Sequence, residues 1–338
     1  MKPLLAIETS CDETAAAVIA ADGRVLGEVV RSQIDDHQVF GGVVPELASR
    51  CHTEAIDGVV AQALERAGLD LDGIGAVVAT GGPGLVGCLL VGLSWAAGLA
   101  LGRGLPLLAV NHLEGHLFAP FINTESPDFP FLGLIVSGGH TELVLAKGVG
   151  DYELIGATRD DAAGEAFDKG ARLLGLPYPG GIAVDRLAQG GDRAAIDFPR
   201  GMLHSGDFEF SFSGLKTAVR QQVERGGVPE GQALSDFCAS LQEAIVDVLL
   251  RKTRKAAKVH GIQRVVLTGG VAANSRLRAA FEEAAQAEGW SLHCAARHHC
   301  TDNAAMIGYA GLLRLRRGER SSMAVDASPG LSLGEVPT

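Results

Sequence analysis

Two histidines four residues apart, His112 and His116 in the run Asn111-His112-Leu113-Glu114-Gly115-His116, have the spacing best suited to chemistry in this chain. On a helix, positions i and i+4 share a face, so both imidazoles can reach one metal ion. Further along, Ile135-Val136-Ser137-Gly138-Gly139-His140-Thr141-Glu142-Leu143 reads as an apolar strand broken by a glycine pair and then resumed. Backbone amides in such a turn can reach phosphate oxygens. A metal site and a phosphate clamp in one chain point to nucleotide chemistry.

Several simpler readings compete with each motif. Metalloproteases place the glutamate directly after the first histidine, whereas Glu114 lies two residues after His112, so the protease reading starts weak. The most economical third ligand is a carboxylate, which would give two histidines and one acid around iron or zinc with open positions for substrate. Asp302, in Cys300-Thr301-Asp302-Asn303, is one candidate, and a helix N-cap is the alternative for it. Gly82-Pro83-Gly84-Leu85-Val86-Gly87 matches a dinucleotide fingerprint, yet the next strand, Leu107 to Val110, ends in Asn111 and His112 instead of an acid for ribose hydroxyls. No Gly-Lys-Ser/Thr occurs, which argues against a Walker-type nucleotidase. His293, Cys294, His298, His299 and Cys300 fit no standard zinc spacing. Glu165 and Lys169 form an i, i+4 pair on a wet helix face, while Asp168 between them can hold a ribose.

The elements that position these residues occur twice. Leu4 to Ile7, Thr14 to Ala20 and Val25 to Val30 read as three hairpin-linked strands, and Phe131 to Val136, Thr141 to Ala146 and Tyr152 to Thr158 repeat the plan. Helical sequence follows each block, and then Val-Val-x-Thr-Gly-Gly at Val77 to Gly82 and at Val265 to Gly270. The repeat predicts two α/β lobes with a ligand cleft between them. The expected bounds are a first lobe over 1–130 and a second over 131–301, interrupted by a turn-rich insertion at about 180–231. A last helix over 302–317 is expected to cross back to the first lobe, with a flexible tail over 318–338.

The chain has 338 residues, 47% hydrophobic and 20% charged, enough for two cores. Its 45 glycines, about twice ordinary usage, include seven Gly-Gly pairs and no low-complexity tract. Gly139 and Gly270 are expected to admit no side chain, because backbone there must approach a nucleotide. Six scattered cysteines without CxxC favour a reduced, cytoplasmic protein. The apolar run Pro3 to Ile7 is too short for a signal-peptide core. Leu85 to Gly102 nearly has membrane-spanning length but is glycine-rich and lies between strands, so it reads as a buried helix and no membrane is expected. A net charge of −11 excludes a generally nucleic-acid-coated surface. Arg251, Lys252, Arg254, Lys255 and Lys258, and separately Arg314, Arg316, Arg317 and Arg320, form local basic clusters that read first as solvated helix faces.

Taken together, the ordered motifs resemble the bacterial tRNA threonylcarbamoyladenosine transferase family, TsaD, also called YgjD and formerly a glycoprotease. The runs that carry the resemblance are Ile7 to Thr14, Gly41 to Arg50, the histidine pair, Val136 to Thr141, Asp160 to Lys169, Ser211 to Thr217 and Thr301-Asp302-Asn303. They span Leu4 to about Arg317, and one departure is Ala272-Ala273 before Asn274, where a serine is expected. The resemblance implies an α/β, actin/Hsp70/sugar-kinase-like fold of two duplicated RNase H-like lobes. It implies metal ligands His112, His116 and Asp302, with iron(II) ahead of zinc. Ile135, Val136, Ser137, Gly138 and Gly139 would lie against the phosphate and acyl portion of threonylcarbamoyl-AMP, or of ATP, with Asp168, Gly181, Asp185 and Asn274 around the adenosine. It further implies transfer to the exocyclic amine of the adenosine 3′ of the anticodon, in tRNAs reading codons that begin with A, with AMP released. The implied partners are tRNA, a TsaB-like pseudo-paralogue and a TsaE-like ATPase. Either Asp12 or Glu13, at the first hairpin turn, can take the amine proton. The competing functions are a non-catalytic actin-like ATP switch, which does not need the histidine pair, and a metalloprotease, which does not need the glycine strand ends.

Overall fold

The computed structural model describes residues 2–124 and 126–337. The chain divides into two compact units, one taking the residues up to Asp128, Gly148–Tyr152 and the chain from Thr301 on, the other Phe129–Lys147 and Glu153–Cys300.

In the first unit, β1 (Leu4–Glu8) is buried along its whole length, as expected of the apolar run Leu4 to Ile7 covered on both faces, with the acid Glu8 buried at its end. β2 (Glu13–Ile19) and β3 (Val25–Ser32) follow as antiparallel neighbours, with Ala6 opposite Ala17 and Ala16 opposite Val29. After α1 (Ile34–Gln38) and α2 (Pro45–Ala67), β4 (Ala76–Gly82) returns parallel to β1, with Leu5 beside Val77. α3 (Val86–Arg103) then leads to β5 (Leu107–Asn111), parallel to β4, and α4 (His112–Phe118) starts where β5 ends. The sheet order is β3-β2-β1-β4-β5.

The second unit repeats this order. β6 (Phe131–Val136) pairs antiparallel with β7 (Thr141–Gly148), which neighbours β8 (Asp151–Ala157). Four helices follow, α5 (Ala163–Leu173), α6 (Gly180–Ala188), α7 (Ser213–Gly226) and α8 (Gly231–His260). β9 (Arg264–Thr268) then lies parallel to β6, α9 (Ser275–Glu288) follows, and β10 (Ser291–Cys294) lies parallel to β9. The order β10-β9-β6-β7-β8 matches the first sheet strand for strand. The stretch 180–231 is not turns alone: it carries α6, packed against α5 and α8, and α7, packed against α5.

α10 (Ala304–Arg316) belongs to the first unit and lies on β1, β2 and α4. Its approach depends on glycine, since a side-chain carbon at Gly308 would lie 2.5 Å from Ile19 Cγ1 and 2.9 Å from Ala6 Cβ. The expected flexible tail instead packs on this unit. The Ser321 amide donates to the Leu107 carbonyl at 2.8 Å, its hydroxyl accepts from the Ala109 amide at 3.0 Å, and Val325 and Leu331 are buried. Edge-strand hydrogen bonding and apolar cover outweigh the polar, Gly/Pro-containing composition that made this stretch look unstructured. Thr338, the end of that tail, lies outside the described residues, as do Met1 and Glu125.

Two other expectations change. α3 is apolar enough to cross a membrane by length and composition, but it packs on β4 and α2, burying Leu89, Leu93, Ala96 and Ala100 while Val86, Leu90 and Leu101 stay exposed. It is one-sided, where the sequence predicts full burial. The fingerprint glycines serve chain packing: Gly82 at φ +151° lies against the Ser328 carbonyl, and Gly84 at φ +158° lies against Ser10. Both glycines are thus accounted for by close approach of the chain's own backbone, and with no acid at the end of β5 the dinucleotide reading has no support.

Candidate metal centre and nucleotide loops

α4 is a short helix whose start is fixed by Asn111. The Asn111 Oδ1 accepts from the Leu113 and Glu114 amides at 2.9 and 3.3 Å, and its Nδ2 donates to the Ser332 carbonyl at 2.8 Å. His112 and His116 therefore leave the carboxyl end of the parallel edge strand β5 on one helix face, with ring centroids 4.7 Å apart. α10 comes close because residue 115 is glycine, where a side-chain carbon would stand 2.8 Å from Ile307 Cδ1. That approach brings in Asp302, whose Oδ1 lies 3.4 Å from His112 Nε2 and 3.2 Å from His116 Nε2. Asp302 is not the helix cap. Asn303 fills that position, accepting from the Met306 amide at 2.9 Å, and leaves Asp302 to face the histidines.

Among the described residues this trio is the one group of three or more histidine, cysteine or acidic side chains whose ligand atoms fall together, within 4.8 Å of one another. Ligand bonds of about 2.0–2.2 Å to a tetrahedral ion require donor separations of roughly 3.4 Å, so the observed spacings and the N,N,O donor set fit a first-row divalent metal. The cluster at His293 to Cys300 does not form such a group.

The electrostatics follow from burial and opposed charges. Burial opposes ionisation of Asp302, but the neighbouring His112 and His116 outweigh it and hold the carboxyl well below its usual range. Burial also opposes charge on His112, yet Asp302 and Glu8 drive its affinity for a proton well above the ordinary value. In His116, burial dominates and lowers it. Sequence reasoning missed Glu8, the fully buried last residue of β1, whose Oε2 lies 3.1 Å from His112 Nδ1. Its signal was an acid ending an otherwise apolar strand.

Glu114 turns away from this trio. Its carboxylate accepts from Arg314 Nε at 2.6 Å and from the Tyr152 hydroxyl at 2.5 Å, so it is committed to a buried network and cannot serve as a protease base. Arg314 is 3% exposed, which corrects its placement in a solvated basic face. Lys252, 2% exposed and bonded to Ser205 and Asp207, needs the same correction.

Asp12 and Glu13 occupy the turn from β1 to β2. The Asp12 carbonyl accepts from the Gln33 amide at 2.9 Å, Glu13 accepts from the Ser32 hydroxyl at 3.1 Å, and His52 Nε2 meets the Cys11 carbonyl at 2.9 Å. Burial, then Asp12, then Asp302 push the Glu13 carboxyl well above the usual range.

In the second unit, Ile135 and Val136 are buried strand residues, so only their backbone can meet a ligand. Ser137 closes the hairpin tip: its amide donates to the His140 carbonyl at 2.8 Å and its Oγ accepts from the His140 amide at 3.1 Å. Gly138 and Gly139 are exposed there, and a side-chain carbon at either would meet nothing within 4 Å. Gly270 is equally open, whereas Gly269 at φ +93° lies against the Val136 carbonyl. The conformational demand for glycine therefore falls on 269, and 139 and 270 are open cradles. Asp168 Oδ1 accepts from the Gly180 and Gly181 amides at 2.8 and 3.3 Å, and burial raises its carboxyl above the usual range. Asp185 accepts from the Ser275 amide and hydroxyl at 3.0 and 2.6 Å. Asn274 caps α9 through Leu277 and donates to Gln242 at 2.7 Å. These three hold the turns that begin α6 and α9. Glu165 and Lys169 pair at 2.6 Å, as their spacing predicts.

Comparison with known proteins adds independent findings. A family model described as TsaD, tRNA N6-adenosine threonylcarbamoyltransferase, matches residues 24–309. A relative of that name from Anaeromyxobacter dehalogenans is 58% identical over 98% of this chain and 100% of its own. Another, from Geobacter sulfurreducens, is 55% identical over 96% of this chain and 95% of its own. Among solved structures, HypF of T. kodakarensis superposes with a TM-score of 0.63 at 14% identity, over 94% of this chain and 48% of that one. The activator of 2-hydroxyisocaproyl-CoA dehydratase from Clostridium difficile gives 0.52 at 12% identity, over 95% and 99%. At such identities the likeness concerns fold alone, the actin/Hsp70/sugar-kinase-like class that the family resemblance implies and the duplicated sheets fit.

Proposed function

The chain belongs to the TsaD family of tRNA N6-adenosine threonylcarbamoyltransferases and acts in tRNA threonylcarbamoyladenosine biosynthesis, and within that activity we propose that His112, His116 and Asp302 hold one divalent metal. The observation that carries the proposal is the convergence of two Nε2 atoms, both on buried histidines, on one carboxylate oxygen at 3.4 and 3.2 Å. Iron(II) is our first assignment and zinc the second, since two imidazoles and a carboxylate suit both. When bound, the ion supplies Lewis acidity toward a substrate oxygen.

The donor in this reading is threonylcarbamoyl-AMP. Its phosphate and acyl group lie against the backbone of Ile135 to Gly139, where Gly138 and Gly139 are exposed and carry no side chain to keep a developing oxyanion from their amides. Gly181 is open on its ligand side, since a side-chain carbon there would have Phe167 Cβ as its nearest neighbour at 3.7 Å, and Asp168 fixes the turn that presents it to the adenosine. Asp185 and Asn274 set the facing turn at the start of α9. Of the two acids in the first hairpin turn, Glu13 is the proton acceptor. Its carboxyl is raised well above the usual range by burial and by Asp12, which brings it toward the pH at which an amine proton must be taken.

The acceptor is tRNA, at the exocyclic amine of the adenosine 3′ of the anticodon, in a loop whose bases can be displayed without opening a duplex. A chain of net charge −11 gains little from long-range attraction to a polyanion. Arg251 and Arg254 are engaged with Asp247 and Glu288, and Lys255 with the Gly206 carbonyl, which weakens the basic strip further. That supports a TsaB-like partner sharing the tRNA surface and a TsaE-like ATPase serving turnover, in the cytoplasm where tRNA resides.

The test is incubation of the purified chain, with and without the partners, with threonylcarbamoyl-AMP and unmodified tRNA, followed by nucleoside analysis and metal determination. The double variant His112→Ala/His116→Ala is expected to lose metal and transfer together. Unchanged metal content in that variant overturns the ligand assignment.

A further inference from the structure

Glu8 is the one carboxylate in an otherwise apolar strand, Leu4 to Glu8, and it has no solvent exposure. Burying an anion at this depth costs several kcal/mol unless donors surround it. Three do. The Ser10 amide donates to Oε1 at 2.5 Å, the Thr80 hydroxyl donates to Oε2 at 2.5 Å, and His112 Nδ1 stands 3.1 Å from Oε2. Among the described residues no lysine or arginine pairs with Glu8, and the imidazole of His112 is its one ion-pair partner. Both ring nitrogens of His112 face carboxylates, Nδ1 toward Glu8 and Nε2 toward Asp302; with Nε2 given to a metal, the one remaining ring proton is on Nδ1, where Glu8 accepts it.

We propose that Glu8 is a positioning residue of the metal centre, fixing the tautomer and ring orientation of His112 through Nδ1, with Thr80 and Ser10 holding the carboxylate in place. This rests on the assignment of His112, His116 and Asp302 as ligands. An imidazole bound to metal characteristically gives its other N–H to a carboxylate, which raises ligand basicity. Charge balance points the same way. Glu8 and Asp302 bring two buried negative charges to two histidines, and a divalent cation between them neutralises the set.

Cobalt(II) is the probe, because its ligand-field absorption reports coordination independently of activity. The apo full-length chain is titrated with cobalt and then with zinc in competition. Wild type is expected to give a saturable visible band, His116→Ala to lose it, and Glu8→Gln, which keeps the size of the side chain, to bind about 10- to 100-fold more weakly with a shifted band. Thr80→Val, whose carboxylate partner remains but is less firmly held, is expected to show a smaller loss in the same direction. A folded Glu8→Gln chain with wild-type affinity and spectrum overturns this proposal alone. Should Glu8→Gln not fold, Thr80→Val decides, and unchanged affinity and spectrum in it overturn the proposal. Failure of wild type to bind cobalt, or full binding by His116→Ala, overturns the ligand assignment and this proposal with it.

Discussion

The Glu114 carboxylate meets the Arg314 guanidinium at 2.6 Å with neither side chain more than 3% exposed, and this pair ties α4 to α10. These are the two helices beside which all three candidate metal ligands lie. Tyr152 donates to the other carboxylate oxygen, and Glu319 accepts from Arg314 Nη1 at 2.7 Å, so both oxygens of Glu114 and two of the three guanidinium nitrogens are engaged. Buried pairs of this kind add little net stability over an apolar replacement, yet breaking one strands a charge.

Arg314→Met is therefore expected to destabilise the chain by about 3–5 kcal/mol, leaving Glu114 buried without its cation. Glu114→Leu combined with Arg314→Leu should recover most of that loss, since no charge remains unpaired. Denaturant unfolding of the two variants and wild type checks the prediction. A single variant no less stable than wild type would show that the charge is solvated.

Arg314 also marks where sequence reading stops. Its neighbours Arg316, Arg317 and Arg320 make it look like part of a wet basic face, and only its contact with the buried Glu114, 200 residues earlier in the chain, identifies it as internal. Periodicity and repetition reveal the strands and the double sheet because every element obeys the same alternation of apolar runs and turns. His112 and His116 are legible because their spacing is local to one helix. Asp302 is one carboxylate candidate among many until the family resemblance singles it out, since spacing cannot select a ligand separated by 186 residues from His116. Glu8 escapes notice because a single acid at a strand end looks like a boundary. The tail escapes too, because its contacts are made by backbone, which composition does not reveal.

The Gly138-Gly139 tip and Gly269 have opposite requirements, and the contrast is measurable. Gly269 has φ +93° and no space beside the Val136 carbonyl, so Gly269→Ala should cost about 1–3 kcal/mol in folding. Gly139→Ala meets nothing and should leave the unfolding midpoint unchanged while weakening adenylate binding, because the methyl occupies space assigned to the nucleotide. Calorimetry of folding and of threonylcarbamoyl-AMP binding separates the two effects. Wild-type adenylate affinity in Gly139→Ala removes the hairpin from the binding site.

Glu142, on β7, gives the chain a defined pH dependence far from the metal ligands in sequence. Its Oε2 is buried without a hydrogen-bond partner among the described residues, and burial pushes the carboxyl from 4.5 to about 6. Between those values the folded chain holds a proton that the unfolded chain releases, so this group makes stability fall as pH rises from 4.5 through 6. The loss amounts to about 2 kcal/mol at most. Glu142→Gln should flatten that part of the stability profile and leave the variant more stable than wild type at pH 7. An unchanged slope in urea titrations across this range would assign the pH dependence to other groups.

The C-terminal tail has a dual task that truncation can expose. Ser321 supplies a donor and an acceptor to Leu107 and Ala109 on the outer edge of β5, and the Ser332 carbonyl anchors Asn111, the residue that caps the histidine helix. Without these contacts β5 presents open hydrogen-bonding groups, the usual template for unwanted strand pairing. The cap side chain of Asn111 is at the same time free to leave the Leu113 and Glu114 amides, loosening the start of α4 by about 1 kcal/mol. A chain ending at Glu319 is thus expected to self-associate, seen by light scattering, and to bind cobalt more weakly than the full chain. Substituting Ser332→Pro tests little, because the anchoring group is a backbone carbonyl that survives the change, so the truncation is the decisive variant. A monodisperse truncated chain with undiminished cobalt affinity would reduce the tail to a surface covering with no bearing on the edge or the cap.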